Sequence, residues 1–355
     1  MTLNKEQHIA YMKEVAETIF AASVNIAYGD QGLKDLVEIT GVASIVYKYI
    51  PLDIDYQVII YKAANSVHSI SKLTSKTPSK ITDISSLAAN SSKRMAIEVI
   101  NSKEIRISFE ELFDPLTISE ESVVYYFNKG VEQVFCKTNA VALPTHPDSI
   151  SHYAVPTFKS LEAALEHYKV YRARRSTCPI LNNVWFDKAN RILFKDGPEK
   201  ILRQSLYFFL SDHVRGEVKE EQNVDDSKPV DIKISWDFAS HIALIEVKWM
   251  GKSIVSLGQR KPNQNMNAAE AVAGANQLAD YLERHKPYSV TQFTKGYLVV
   301  FDGRRWQTST SSIAVNKTNG LYYENREVTY TPEHHNTRAD FAEPVRFFIE
   351  PIYTS

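Results

Sequence analysis

The stretch PVDIKISWDFASHIALIEVKW, residues 229–249, dictates a β-hairpin. It is rich in Val, Ile, Trp and Phe, and a short polar break divides it into two runs of strand length. Strands that bury a face alternate apolar and polar side chains, yet the second run sets Glu246 and Lys248 among its most apolar residues. With a two-residue turn at Ala239 and Ser240, Asp231 falls opposite Lys248 and Lys233 opposite Glu246. Directly opposed residues share a face, so Asp231, Glu246 and Lys248 converge on one side of the hairpin. A slip of one residue would separate them.

Directly opposed Cβ atoms stand roughly 5 Å apart and diagonal ones about 7 to 8 Å, and two carboxylates at that separation suit Mg²⁺, a hard ion that binds through one or two carboxylates, waters and substrate phosphate. The Val247 carbonyl lies between the acid and the amine and offers a further oxygen. Lys248 would orient or deprotonate an attacking water, whose pKa a bound metal lowers. Two ordinary explanations compete: a cross-strand salt bridge, and a solvated sheet face, on which alternating charges produce the triplet ExK often.

The rest of the chain sets the frame. Its 355 residues suffice for two domains or one large one, and 41 basic against 42 acidic residues give a net charge of -1. No global basic field advertises nucleic-acid binding, so any such binding must be local. Cys136 and Cys178 are too few for a disulfide framework and stand in no metal-ligand spacing, which fits a reducing compartment. The N-terminus is charged and amphipathic rather than signal-like, and no apolar run approaches the ~18 residues of a membrane span, so a cytoplasmic protein with no membrane partner is expected.

Ile9, Met12, Val15, Ile19 and Phe20 mark an opening helix. SIVYKYI and DYQVIIYKA have strand composition, and residues 66–93 form a polar stretch of loop or short elements. TFKSLEAALEHYKVYRARR describes a helix whose terminal Arg172, Arg174 and Arg175 complement its dipole or meet solvent, with contact to a phosphate backbone as the alternative. A boundary near residue 178 follows, giving residues 1–178 as a mixed α/β domain of unassigned fold and 179–355 as a second domain. There the order is helix (GPEKILRQSLYFFLSDHV), strand (EVKEEQNV), the hairpin, a long polar segment from Gly251 to Asn265, helix (NAAEAVAGANQLADYLERH) and strand (KGYLVVFDG). That order describes a mixed sheet flanked by helices.

In this ordered series, over roughly residues 185–303, the chain resembles the PD-(D/E)XK nuclease superfamily and its restriction-endonuclease-like fold. Asp231 matches the first-strand Asp, and Glu246, Val247 and Lys248 match the (D/E)XK element. Glu199, at the start of the preceding helix, matches the acid that many members carry there, with Glu217, Glu220 and Glu221 as competitors. Gln277 and Tyr281 look like the QxxxY element of RecB-like members, although Gln277 also reads as a solvated helix residue. The literal PD is absent, since Val230 precedes Asp231, and Asp237 has the same strand parity.

The resemblance implies a Mg²⁺-dependent endonuclease, with Mn²⁺ as a substitute, in which Asp231, Glu246, the Val247 carbonyl and Glu199 hold metal and Lys248 and Gln277 complete the catalytic set. DNA is favoured over RNA as substrate, and family habit suggests a homodimer or a partner in bacterial anti-phage defence, or a role in repair or recombination. Lys252, Arg260 and Lys261 in the segment after the hairpin would hold a nucleic-acid backbone without reading bases, or simply be solvated. The rival is a non-catalytic nucleic-acid-binding or assembly module on the same fold. In DGRRW, Arg304, Arg305 and Trp306 follow a core strand and offer either a stacking and phosphate contact or a strand-end cap. GKS at 251–253 is no P-loop, because Glu246 stands where the motif needs glycine, and no GxSxG or HExxH occurs.

Overall fold

In a computed structural model, residues 5–62, 70–74, 76–90, 92–101, 104–109, 112–143, 149–223, 229–236, 239–288 and 292–354 are described. The chain is mixed α/β and divides into two compact units. The first comprises Met1–Lys159 with Phe238–Ser240 and Thr291–Phe293; the second holds Ser160–Asp237, His241–Val290 and Thr294–Ser355.

In the first unit, helix α1 (Lys5–Tyr49) is broken at Gly29, whose φ of 65° is open to a residue without Cβ. SIVYKYI, expected as a strand, is part of this helix except for its last residue, Ile50. Leu36, Ile39, Ala43, Val46, Tyr47 and Ile50 are buried at intervals of three and four, and that helical periodicity overrides the β-branched composition. The sheet is formed by β1 (Gln57–Lys62), β2 (Ser79–Ile81), β3 (Arg94–Asn101), β4 (Glu104–Phe109), β5 (Val124–Asn128), β6 (Val131–Cys136) and β7 (Asn139–Ala142), in the order β2-β4-β3-β1-β5-β6-β7. Only β1 and β3 run parallel. Val58 and Ile60 of β1 join a core with α1, whereas Ile59 and Tyr61 join a second core with Phe113 and Ile118 from the segment containing α2 (Leu116–Ser119).

The boundary lies near residue 159 rather than 178. Helix α3 (Phe158–Tyr168), which continues as a π-turn to Ala173, belongs to the second unit from Ser160 onward. Aromatic packing explains this: Tyr168 meets Phe209, Phe301 and Phe347, and its hydroxyl shares a 2.7 Å hydrogen bond with Ser205.

Beyond the short α4 (Pro179–Asn182) and β8 (Phe194–Lys195), the second unit continues with helix α5 (Pro198–His213), entered through Gly197 and Pro198. Then come β9 (Glu217–Asn223), β10 (Pro229–Trp236), β11 (His241–Ile254), β12 (Gln264–Met266), helix α6 (Ala268–His285), β13 (Phe293–Asp302) and β14 (Val345–Phe348). The main sheet order is β14-β13-β11-β10-β9; β12 and β8 also pair with β11. Strands β9, β10 and β11 form an antiparallel meander, whereas β14 and β8 run parallel to their partners. The polar segment expected from Gly251 to Asn265 is largely a hairpin, with Lys252 opposite Asn265 and only residues 255–263 between the strands. No helix among the described residues is long and apolar enough to cross a membrane.

Candidate active site

The β10–β11 hairpin forms, but in a register two residues from the expected one. Ile232 faces Ile245, Lys233 faces Leu244 and Trp236 faces His241, because four residues, 237–240, connect the strands instead of two. Lys233 therefore does not oppose Glu246. A shift of two preserves side-chain parity, and one further step of the same register sets Asp231 opposite Glu246 rather than Lys248. Asp237 lies outside the described residues.

The two carboxylates are buried. Glu246 is 1% exposed and Asp231 8%. The Lys248 ammonium donates to Glu246 Oε1 at 2.6 Å, whereas Glu246 Oε2 is buried without a hydrogen-bond partner. Asp231 is better provided for. Its Oδ2 accepts from the Val247 N–H at 2.8 Å and its Oδ1 from Arg203 Nη1 at 2.9 Å.

Electrostatics follows from this burial. Desolvation, reinforced by the Asp231 charge, pushes the Glu246 carboxyl up to about 7 in spite of Lys248. Burial opposes the Lys248 ammonium, but Glu246, Asp231 and Glu199 outweigh it and hold its pKa above the ordinary lysine value. Glu199, half-buried in the first turn of α5, is raised by burial and by Asp231, with Lys248 and Arg203 pulling the other way. Glu199, Asp231, Glu246 and Lys248 thus stand within one another's field.

The other expected site residues are distributed differently. Gln277 donates to the Tyr281 hydroxyl at 2.6 Å, and that hydroxyl donates to the Pro229 carbonyl at 3.2 Å. This ties α6 to the start of β10, and Tyr281 feels the charges of Glu246, Lys248 and Asp231. Lys252 lies farther along β11, with its ammonium on the Thr308 carbonyl. Arg260 and Lys261 are exposed on the loop beyond β11. Glu220 and Glu221, competitors of Glu199, are instead ion-pair partners of Arg203.

Two contributors escape the sequence-level argument. Arg203 stands four residues after Glu199, a spacing that sets both on one face of α5. Gly274 stands inside α6, where a Cβ would meet Lys248 Cγ at 2.5 Å and Leu298 Cδ1 at 3.1 Å. A glycine inside a strong helical pattern was the available signal, since it costs about 1 kcal/mol against alanine unless packing demands it.

Among the described residues no three His, Cys, Asp or Glu side chains are grouped closely enough to enclose a metal. The orphaned Glu246 Oε2 beside Asp231 fits the sparser arrangement of a hard divalent ion, two protein carboxylates completed by water and phosphate. No protein-family model, no curated protein and no solved structure matches the chain.

Proposed function

We propose that this protein is a Mg²⁺-dependent nuclease of the PD-(D/E)XK type, acting on DNA in preference to RNA. The observation that carries this is Glu246: a carboxylate buried in a central strand, with one oxygen on Lys248, the other unpartnered, and Asp231 pressing on its charge. A buried acid left half-satisfied is costly. A divalent cation between Glu246 and Asp231 would relieve it. The order α5, β9, β10, β11, α6, β13, with β13 beside β11, supplies a mixed sheet with accompanying helices on which this reading rests.

On this reading Glu246 and Asp231 would hold the metal, with Glu199 in the same field. When bound, the metal would supply a lowered water pKa and neutralise charge developing on the phosphate. Lys248 keeps its proton in the resting site, orients the attacking water through its ammonium and offers a cation to the phosphate. Gln277 positions Tyr281 rather than reaching the carboxylates itself.

One observation favours a second reading. Both Asp231 oxygens are already engaged by protein donors, Arg203 and the Val247 N–H, as in a buried charge network of a binding or assembly module. Metal dependence separates the two. The purified chain is incubated with plasmid, linear duplex, single-stranded DNA and RNA in Mg²⁺, Mn²⁺ or EDTA, beside Lys248→Ala and Glu246→Gln. Metal-dependent cleavage lost in both folded variants is expected. Full activity in both would defeat the assignment.

A further inference from the structure

Two charged cavities among the described residues of the second unit differ in how their cations are paired. The larger, about 730 Å³, is lined by Lys169, Arg174, Lys295 and Arg346, and each of these has a carboxylate partner. The smaller, about 290 Å³, is lined by Lys252, Arg304, Arg305 and Trp306 with amide side chains such as Asn265 and Gln307, and by no acid.

Only Arg304 of its three cations is neutralised, by Asp302 at 2.7 Å. Lys252 spends its ammonium on the Thr308 carbonyl. Arg305 is 5% exposed and donates to the carbonyls of Arg304, Arg191 and Ile349, with its Nε unpartnered. Neither has a carboxylate within ion-pair distance among the described residues. Burial lowers the pKa of Lys252, and it brings that of Arg305 down to about 9. Asp302 and Glu350 offset the charge of the buried Arg305 only from beyond contact, and an anion in the cavity would offset it and the partly buried Lys252 directly.

The cavity rim carries an aromatic stack. The Arg326 guanidinium lies 3.8 Å from the Tyr322 ring centre, and Tyr322 stacks on Trp306 at 4.5 Å and 17°. Trp306, 39% exposed, ends this stack; among the described residues no further ring or guanidinium stacks on it. An open indole, paired donor–acceptor amides and unpaired cations together fit a base joined to a phosphate.

We propose that this cavity binds a nucleotide unit, with its phosphate against Lys252 and Arg305 and its base on Trp306. The site requires neither Glu246 nor a metal, and so it stands apart from the catalytic proposal. Lys252 follows Lys248 by four residues on β11, about 13 Å at strand rise, and a base stacked on the exposed Trp306 face is an unpaired one, of a single strand or a free nucleotide.

The test is run in EDTA with the full chain. Adenosine 5′-monophosphate and inorganic phosphate are titrated by calorimetry, and a fluorescein-labelled single-stranded 10-mer by anisotropy. Wild type and Glu246→Gln should bind at least one nucleotide probe equally well. Lys252→Gln and Trp306→Ala should each weaken that binding about tenfold or more, and Trp306→Phe should restore most of it. Binding of the 10-mer alone identifies a strand, and binding of the monophosphate identifies a free nucleotide as sufficient. The proposal is overturned if neither nucleotide probe binds, if phosphate binds as tightly as the nucleotide, or if folded Lys252→Gln and Trp306→Ala match wild type.

Discussion

Glu246 holds an acid where the fold disfavours its ionised form, and that has a thermodynamic signature independent of any activity. Its carboxyl titrates near 7 when folded against 4.5 for the free group, so the native state binds the proton more tightly than the unfolded chain does. Stability from this group is complete below about 4.5 and lost as pH rises through about 7. Glu246→Gln keeps the shape and removes the titration. Its melting temperature relative to wild type should therefore rise between pH 5 and pH 8, with an upper bound of about 3 kcal/mol. The Lys248 interaction strengthens as Glu246 ionises and is already contained in that raised pKa, so the slope is the informative quantity. A flat difference across that window would mean that Glu246 ionises freely and is not desolvated as described. Added Mg²⁺ should stabilise wild type at pH 8 and leave Glu246→Gln unaffected, since only a native-state ligand raises the melting temperature.

At the scale of elements, the site depends on how a strand and a helix meet. Helix α6 presents Gly274 to the Lys248 stem, and Leu298 closes the same space from β13. An interior Gly→Ala change ordinarily stabilises a helix by roughly 0.5–1 kcal/mol. Here the new Cβ lands 2.5 Å from Lys248 Cγ, near the fixed end of the side chain, so the strand, the helix or the lysine must move. Gly274→Ala should therefore fail to stabilise the protein, and it should reduce cleavage at least tenfold while leaving EDTA-state nucleotide binding intact. A more stable variant with full cleavage would show that the Lys248 stem has other room.

The same scale explains what the sequence discloses. The α5, β10–β11 and α6 elements are legible because their periodicities are strong and their caps are present, with Pro198 at one start and Asn267 at the other. Hairpin register is not legible, since a four-residue connection cannot be told from a two-residue turn by composition. Asp231, Glu246 and Lys248 still meet because the error is even. SIVYKYI misleads for the opposite reason: its residues favour strands locally, and only packing against the first sheet makes them helical. Arg203 is hidden because its partners, Asp231, Glu220 and Glu221, come from two later strands.

For the whole molecule, the charge balance sets how nucleic acid could be held. With 41 basic and 42 acidic residues there is no long-range attraction to a polyanion, and affinity must come from a few local cations. Outside the Lys252 cavity, Arg260 and Lys261 are the two that follow the carboxylate pair, both exposed on the loop after β11. Two phosphate contacts on duplex DNA release few counterions, so log K against log salt should have a slope of about -2. Labelled duplex titrated into Glu246→Gln, the variant that the proposed function makes unable to cleave it, gives that slope by anisotropy across a range of salt. Substituting Arg260 or Lys261 with alanine should each flatten it by about 0.9, without changing preference among sequences. A slope of about -6 or steeper, unmoved by substituting both, would place the duplex on another surface and detach this loop from substrate binding.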